Sequence, residues 1–305
     1  MRRTRIVGLC LLAAFAASAM TSASASATLE FGQCKALKAG TTPAIKHGVY
    51  ATGTCTKLFE ENKKPVAKGN YEWYPGPAQT CYALQKGEYN DAGCAQKSNP
   101  KKTGHYEKQQ CVGKCNGVTT ASLTEPYLES EPTPGKPEKI ECKAVSGINT
   151  EIISPTQIVG IARYTGCTTK VSAGSCQNTA TEGELLSSEI IGEPEEKAGK
   201  VWINYSSRKP GPAKNGKEYL INFECAKIVK LRAEGHSAGV VKGGINLMSK
   251  SFTNEFARSI EGIAGQELTQ ESNTGTGWEA PEPGWQYQVT SETYGATLGA
   301  EIRKK

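Results

Sequence analysis

The sequence predicts an all-β protein: a small disulfide-stapled module built on a Gly-x-Tyr repeat, followed by an antiparallel β-sandwich-like domain. Three observations carry that expectation. The phrase Gly-x-Tyr comes round four times, at Gly48-Val49-Tyr50, Gly69-Asn70-Tyr71, Gly87-Glu88-Tyr89 and Gly104-His105-Tyr106. Three of these tyrosines are followed five residues later by a cysteine: Cys55, Cys94 and Cys111. Beyond residue 139, short segments of period-two alternation are separated by Gly, Pro, Ser and Asn, as in Tyr219-Leu220-Ile221-Asn222-Phe223-Glu224-Cys225 and Trp285-Gln286-Tyr287-Gln288-Val289-Thr290.

Residues 1–27 read as an export signal. Arg2, Arg3 and Arg5 precede an apolar run at 6–20 that is too short and Ala-rich for a membrane span, and Ala25-Ser26-Ala27 supplies a small-x-small cleavage pattern. The mature chain then starts near Thr28, a cut after Ala25 being the alternative. Cys10 leaves with the signal, so eleven cysteines become ten, an even number suited to an oxidising compartment. No later segment has the ~20 apolar residues of a spanning helix. The expectation is a secreted or extracellular protein without a transmembrane span, either free or held at the cell envelope by something it binds.

Residues 28–120 form the expected basic module, with thirteen Lys, no Arg and seven acids against a whole-chain charge of +6. This excess suits an anionic cell-wall polymer, or is simply a solvated Lys-rich surface. Nucleic acid is disfavoured, because Arg supplies most base and phosphate forks. Only nine residues from Cys34 to Thr119 are Val, Ile, Leu, Met or Phe, too few for a self-sufficient core. Three disulfides at typically ~2–4 kcal/mol each make up the difference. Internal symmetry predicts Cys34–Cys55 and Cys81–Cys94, leaving Cys111–Cys115. Where the repeat breaks, Tyr71, Trp73 and Tyr74 stand together before Pro75-Gly76. They are either a platform for sugar rings, and so the candidate ligand-binding residues, or the small core of a lean module.

Residues 121–138, with Pro126, Pro132, Pro134 and Pro137, read as an extended linker rather than helix or sheet. Residues 139–305 form the expected β domain, with further strands near 158–164, 201–205, 228–233, 240–247 and 296–302. Helix remains an alternative at 184–191 and around Phe256, Ile260 and Ile263. The remaining cysteines are paired as Cys167–Cys176 across a hairpin end and Cys142–Cys225 between strands, one of three possibilities.

The Cys…Gly-x-Tyr…Cys units with Tyr71-Glu72-Trp73 resemble a family of uncharacterised secreted proteins of high-GC Gram-positive bacteria. Ile140-Glu141-Cys142-Lys143, Tyr164-Thr165-Gly166-Cys167 and Glu189-Ile190-Ile191-Gly192 share the resemblance, which covers most of the mature chain. It implies export and a β-rich fold and carries no activity.

Few catalytic classes remain. Asp91 is the only aspartate, which excludes aspartic dyads and EF-hand loops. There is no Gly-x-Ser-x-Gly, His-Glu-x-x-His, phosphate loop or dinucleotide fingerprint. His47, His105 and His236 lie apart without metal-ligand spacing, so no metal or cofactor is expected. The sequence thus points to a non-enzymatic extracellular or cell-envelope protein that binds wall polymer or polysaccharide. The alternative is a carbohydrate-active enzyme working through glutamates, with Glu60-Glu61 and Glu195-Glu196 as candidate pairs.

Overall fold

A computed structural model describes residues 28–37, 48–98, 104–133, 136–170, 174–208 and 219–304. The expected signal peptide and His47 lie outside the described residues. Among the described residues every regular element is a strand, and no helix is long and apolar enough to cross a membrane. The first part carries β1 (Leu29–Ala36), β2 (Glu60–Glu61), β3 (Lys64–Pro65), β4 (Tyr71–Pro75), β5 (Cys81–Gly87) and β6 (Gly104–Lys108). Next come β7 (Val118–Ser122), β8 (Tyr127–Thr133), β9 (Lys136–Glu141), β10 (Ala144–Ser154), β11 (Gln157–Thr165), β12 (Thr168–Thr169), β13 (Gly174–Gln177) and β14 (Leu185–Leu186). The chain then forms β15 (Ile190–Lys197), β16 (Lys200–Ser207), β17 (Tyr219–Cys225), β18 (Val229–Lys242) and β19 (Ser251–Phe256). Last are β20 (Ser259–Ile260), β21 (Ile263–Ala264), β22 (Gln266–Asn273), β23 (Glu282–Tyr294) and β24 (Glu301–Lys304).

The Gly-x-Tyr phrases work in two reciprocal pairs. Tyr50 and Tyr71 exchange N–H···O bonds of 3.0 and 3.1 Å, and Tyr89 and Tyr106 do the same at 2.9 and 3.0 Å. At each crossing the glycine of one phrase lies against the tyrosine carbonyl of the other. A Cβ on Gly48 would stand 2.0 Å from the Tyr71 oxygen, and one on Gly104 would stand 2.1 Å from that of Tyr89. The repeat therefore exists so that two backbones can cross in contact, which a side chain forbids. Each crossing is stapled, by Cys34–Cys55 and by Cys81–Cys94, and Cys111–Cys115 closes a tight loop further on. Asp91 secures the second loop by accepting the N–H groups of Gly93, Ala95 and Gln96, which holds its carboxyl below the usual range.

The rest is one large antiparallel sheet that closes on itself twice. Running β7–β10–β11–β15–β16–β18–β19–β23 and back to β7 gives one ring; β8–β9–β12–β13–β17–β18–β22–β23 and back to β8 gives the other. The two share β18 and β23. The domain is all-β and antiparallel as expected, in a barrel form rather than as two faced sheets. One core fills the first ring with Val118, Ile152, Ile158, Ile203, Val241 and Phe252. A second fills the other with Ile140, Tyr164, Leu185, Ile221, Phe223 and Leu231. Outside, Trp202 and Val240 are covered by the β20–β21 hairpin.

Several expectations are corrected. The Pro-rich stretch 121–138 is not a linker: β8 and β9 pair with each other and with β23 and β12, because Pro132 and Pro137 fall at the register break between Ser130 and Thr133 while 127–130 pairs regularly. The boundary at 120 also falls inside the sheet, since β7 pairs with β23. Nor does the first module stand alone. β1 lies between β4 and β24, and its Leu29 and Phe31 belong to the first barrel core. The helical alternatives at 184–191 and around 256–263 are instead β14 with the start of β15, and the end of β19 with the β20–β21 hairpin.

The pairs expected as Cys142–Cys225 and Cys167–Cys176 are in fact Cys142–Cys167 and Cys176–Cys225. All four stand in a row across β9, β12, β13 and β17. Joining the middle two would strand the outer pair roughly 14 Å apart at ~4.8 Å per strand, far beyond the ~7 Å reach of a disulfide. The bonded pairs have Cα atoms 4.0 Å apart, the close, non-hydrogen-bonded spacing. Cys176 N–H instead donates to the Cys167 carbonyl, which makes those two the wider kind of neighbour.

Gly48→Ala and Gly104→Ala are expected to lower stability by about 2 kcal/mol or more through backbone collision. Gly53→Ala, whose methyl would meet only the Tyr71 ring edge at 3.2 Å, should cost much less. Thermal unfolding of the three variants checks the ranking.

Candidate functional site

Where the two rings meet, the barrel interior is not filled. A cavity of about 110 Å³, open to solvent at its mouth, lies between the two cores and has the scale of a site for one small ring-sized molecule. One wall is apolar, with Ile158 and Ala162 of β11, Ile190 of β15, Leu220 of β17, Phe256 of β19 and Leu268 of β22. Small residues keep it open: Gly147 and Gly160 face each other across Thr150 near the bulge in β10.

Polar groups also line the cavity, and β23 supplies several of them. Alternation along β23 turns Gln286, Gln288, Thr290, Glu292 and Tyr294 inward, where a core strand would carry aliphatic residues. Gln286 is tied down: its Nε2 donates to the Tyr164 hydroxyl at 2.8 Å, and its Oε1 accepts from Ser237 at 3.0 Å. Glu292, 5 % exposed, accepts from Thr120 at 2.5 Å and Thr290 at 2.9 Å. Burial pushes its carboxyl up, against those two bonds. Burial likewise raises the Tyr205 phenol, with the Glu292 charge adding to it, and Tyr205 accepts from Asn254 Nδ2 at 3.1 Å. Gln288 is different. It lines the cavity, is 7 % exposed, and its Oε1 is buried with no partner among the described residues. A buried acceptor left in this state costs roughly 1–3 kcal/mol, which a donor arriving in the cavity recovers.

The sequence-predicted residues fall elsewhere. Tyr71, Trp73 and Tyr74 all lie on β4 but are divided between its two faces. The Trp73 ring covers Gly32, and with Tyr50 it encloses the Arg303 guanidinium at 4.9 and 4.8 Å. Tyr71 packs over Gly53, and Tyr74 faces the other way, towards buried Lys35. No shared stacking platform results; the trio works as module core and cation clamp. Glu60 and Glu61 are exposed, and Glu61 pairs with Lys68 at 2.8 Å. Glu195 and Glu196 are neighbours on one strand and so point to opposite faces, with Glu196 bound to Lys304 at 2.6 Å. Neither pair lines the cavity, where Glu292 is the single carboxylate among the described residues. His105 and His236 are exposed on separate sheets.

The cavity was missed because alternation marks which residues of β23 share a face but not that the face is enclosed. The usable signal was the run of polar residues at every second position from Gln286 to Glu292 in an otherwise good strand. No family model, curated protein or solved structure matches the chain.

Beside the Trp73–Arg303 clamp, Glu301 is fully buried with neither carboxylate oxygen partnered among the described residues. Burial raises its pKa to about 7, opposed by Arg303. A raised carboxyl pKa means the folded state holds the proton more tightly than the unfolded one. Its stabilising contribution is present below the unfolded value and lost as pH rises through about 7. Wild type should therefore lose up to about 3 kcal/mol from this group between pH 5 and 8. Glu301→Gln should flatten that slope and be the more stable form at pH 8, as read by denaturant titration at both pH values.

Proposed function

We propose that the protein is a secreted binding protein that holds one small, largely apolar molecule carrying a hydrogen-bond donor inside its barrel. The observation that carries this reading is the unpartnered Gln288 carbonyl, on the same inward face of β23 as Glu292, in a largely apolar enclosure. An apolar body fits the wall formed by Ile158, Ile190, Leu220 and Phe256, and a hydroxyl or amine meets Gln288 Oε1. A mostly apolar lining with a few polar groups favours an amphiphile over a sugar, which needs polar partners on all sides. The cleavage pattern at Ala25-Ser26-Ala27 and the five disulfides support export to an oxidising compartment. A hydrolytic role finds less support, since a glycosidase needs two facing carboxyls and the cavity offers one.

Indole is a suitable probe, with a small apolar body and one N–H donor. Calorimetric titration into the oxidised protein should give saturable heat with one site per chain. Ala162→Phe, which fills the cavity from β11, should weaken binding at least about tenfold with the fold retained by circular dichroism. Equal binding by the wild type and the filled variant, or no saturation, would overturn the proposal.

Gln288 gives a finer test of the same site. Gln288→Leu removes the acceptor at similar volume and should weaken the N–H probe by about 1 kcal/mol or more while leaving binding of naphthalene unchanged. A competition titration with the two aromatics measures the difference.

A further inference from the structure

Lys35 is a buried cation with no ion pair among the described residues. It is 2 % exposed, sits on β1, and places its Nζ 4.0 Å from the Tyr82 ring centroid and 5.4 Å from that of Tyr74. Its hydrogen-bond partner is the side-chain carbonyl of Gln109, 2.6 Å away and itself on a residue only 5 % exposed. The other half of that amide, Gln109 Nε2, is buried with no partner among the described residues. A charge removed from water and given one neutral amide and two ring faces is poorly compensated. The group answers by losing its proton more easily: burial lowers the Lys35 pKa to about 8. A neutral amine held against an amide carbonyl in a dry enclosure is a nucleophile at its electrophile.

We propose that Lys35 and Gln109 are joined by an intramolecular isopeptide bond. The neutral Nζ attacks Gln109 Cδ, forming a C–N bond and moving the carbonyl π electrons onto Oε1. A proton passes from Nζ to Nε2, the Cδ–Nε2 bond breaks, and ammonia leaves as the carbonyl reforms. One primary amide and one amine become one secondary amide and one ammonia, with no oxidant and no outside reagent. Two features of the enclosure favour this direction. The amide nitrogen that departs is the one left without a bond, and the product replaces a buried cation with a neutral group. The link spans 74 residues. It would fasten β1, which contributes Leu29 and Phe31 to the barrel core, to the segment that follows the second Gly-x-Tyr crossing.

The test is the intact mass of the folded, oxidised secreted chain. It should lie one ammonia below the mass calculated for that chain with five disulfides, and Lys35→Arg and Gln109→Leu should each restore the full value. After reduction and tryptic digestion, tandem mass spectrometry should find the peptides containing Lys35 and Gln109 as a single linked species. Recovery of both peptides unlinked from wild-type protein of full mass would sink the proposal whether or not the variants fold. Because the reading concerns residues outside the barrel cavity, it stands or fails independently of ligand binding.

Discussion

β18 and β23, at 14 and 13 residues, are longer than the strands beside them, so each offers one edge to two partners in succession. Along one edge β18 meets β17 and then β16, and along the other β22 and then β19. β23 divides its edges in the same way, between β8 and β7 and between β22 and β19. A sheet edge left open in water exposes unpaired N–H and C=O groups and invites pairing with other chains. Closing each half of the two long strands into its own ring removes those edges. The cost is geometric: two rings of different strand composition must share two staves, and their interiors cannot both be filled at the seam.

The cavity follows from that seam. Each ring has its own apolar cluster, and the two clusters are separated where the strand partners change. Close packing would favour filling such a space with larger side chains. The chain does the reverse, with Gly147, Gly160, Ala162 and Ser237 on the walls and polar residues projecting from β23. Buried polar groups weaken a core unless they are satisfied, and most here are, through Gln286 with Tyr164 and Ser237 and through Glu292 with two threonines. Gln288 Oε1, which lines the cavity and has no partner among the described residues, is the vacant hydrogen-bonding position such a site needs.

The all-β class and the strands of the second half were legible because alternation reports directly on strand faces. Glycine and tyrosine in the repeat were legible as a pattern, but their cause was not: the close backbone crossing involves residues 21 and 17 positions apart in the two pairs, Tyr50 with Gly69 closing one, so only a tertiary contact explains it. Disulfides within the first module follow from internal symmetry, whereas the four later cysteines depend on which strands flank β12 and β13, and that is topology. Proline misled at 121–138, since its loss of a donor matters little at the register break of the β8–β9 ladder, where Pro132 and Pro137 fall. Aromatic residues misled at β4, because three neighbours in sequence look like one platform and yet alternate between two faces.

The lean first module shows why buried polar groups concentrate where they do. With few aliphatic residues of its own, it is held by three disulfides, by two backbone crossings and by the insertion of β1 between β4 and the C-terminal β24. That insertion buries one face of β1 against the barrel, and the alternation that sends Leu29 and Phe31 inward sends Gln33 and Lys35 inward as well. Gln33 finds the Gly299 carbonyl at 2.5 Å. Lys35 finds an amide and two tyrosine rings, and Arg303, on the opposite face, finds Tyr50 and Trp73. Aromatic faces thus do for cations what carboxylates do elsewhere, which accounts for the tyrosine content of a segment that has little other core. Cation–π contact compensates only part of the lost hydration. An arginine retains its charge under that deficit, whereas a lysine relieves it by giving up a proton, so the chemical consequence falls on Lys35 rather than on Arg303.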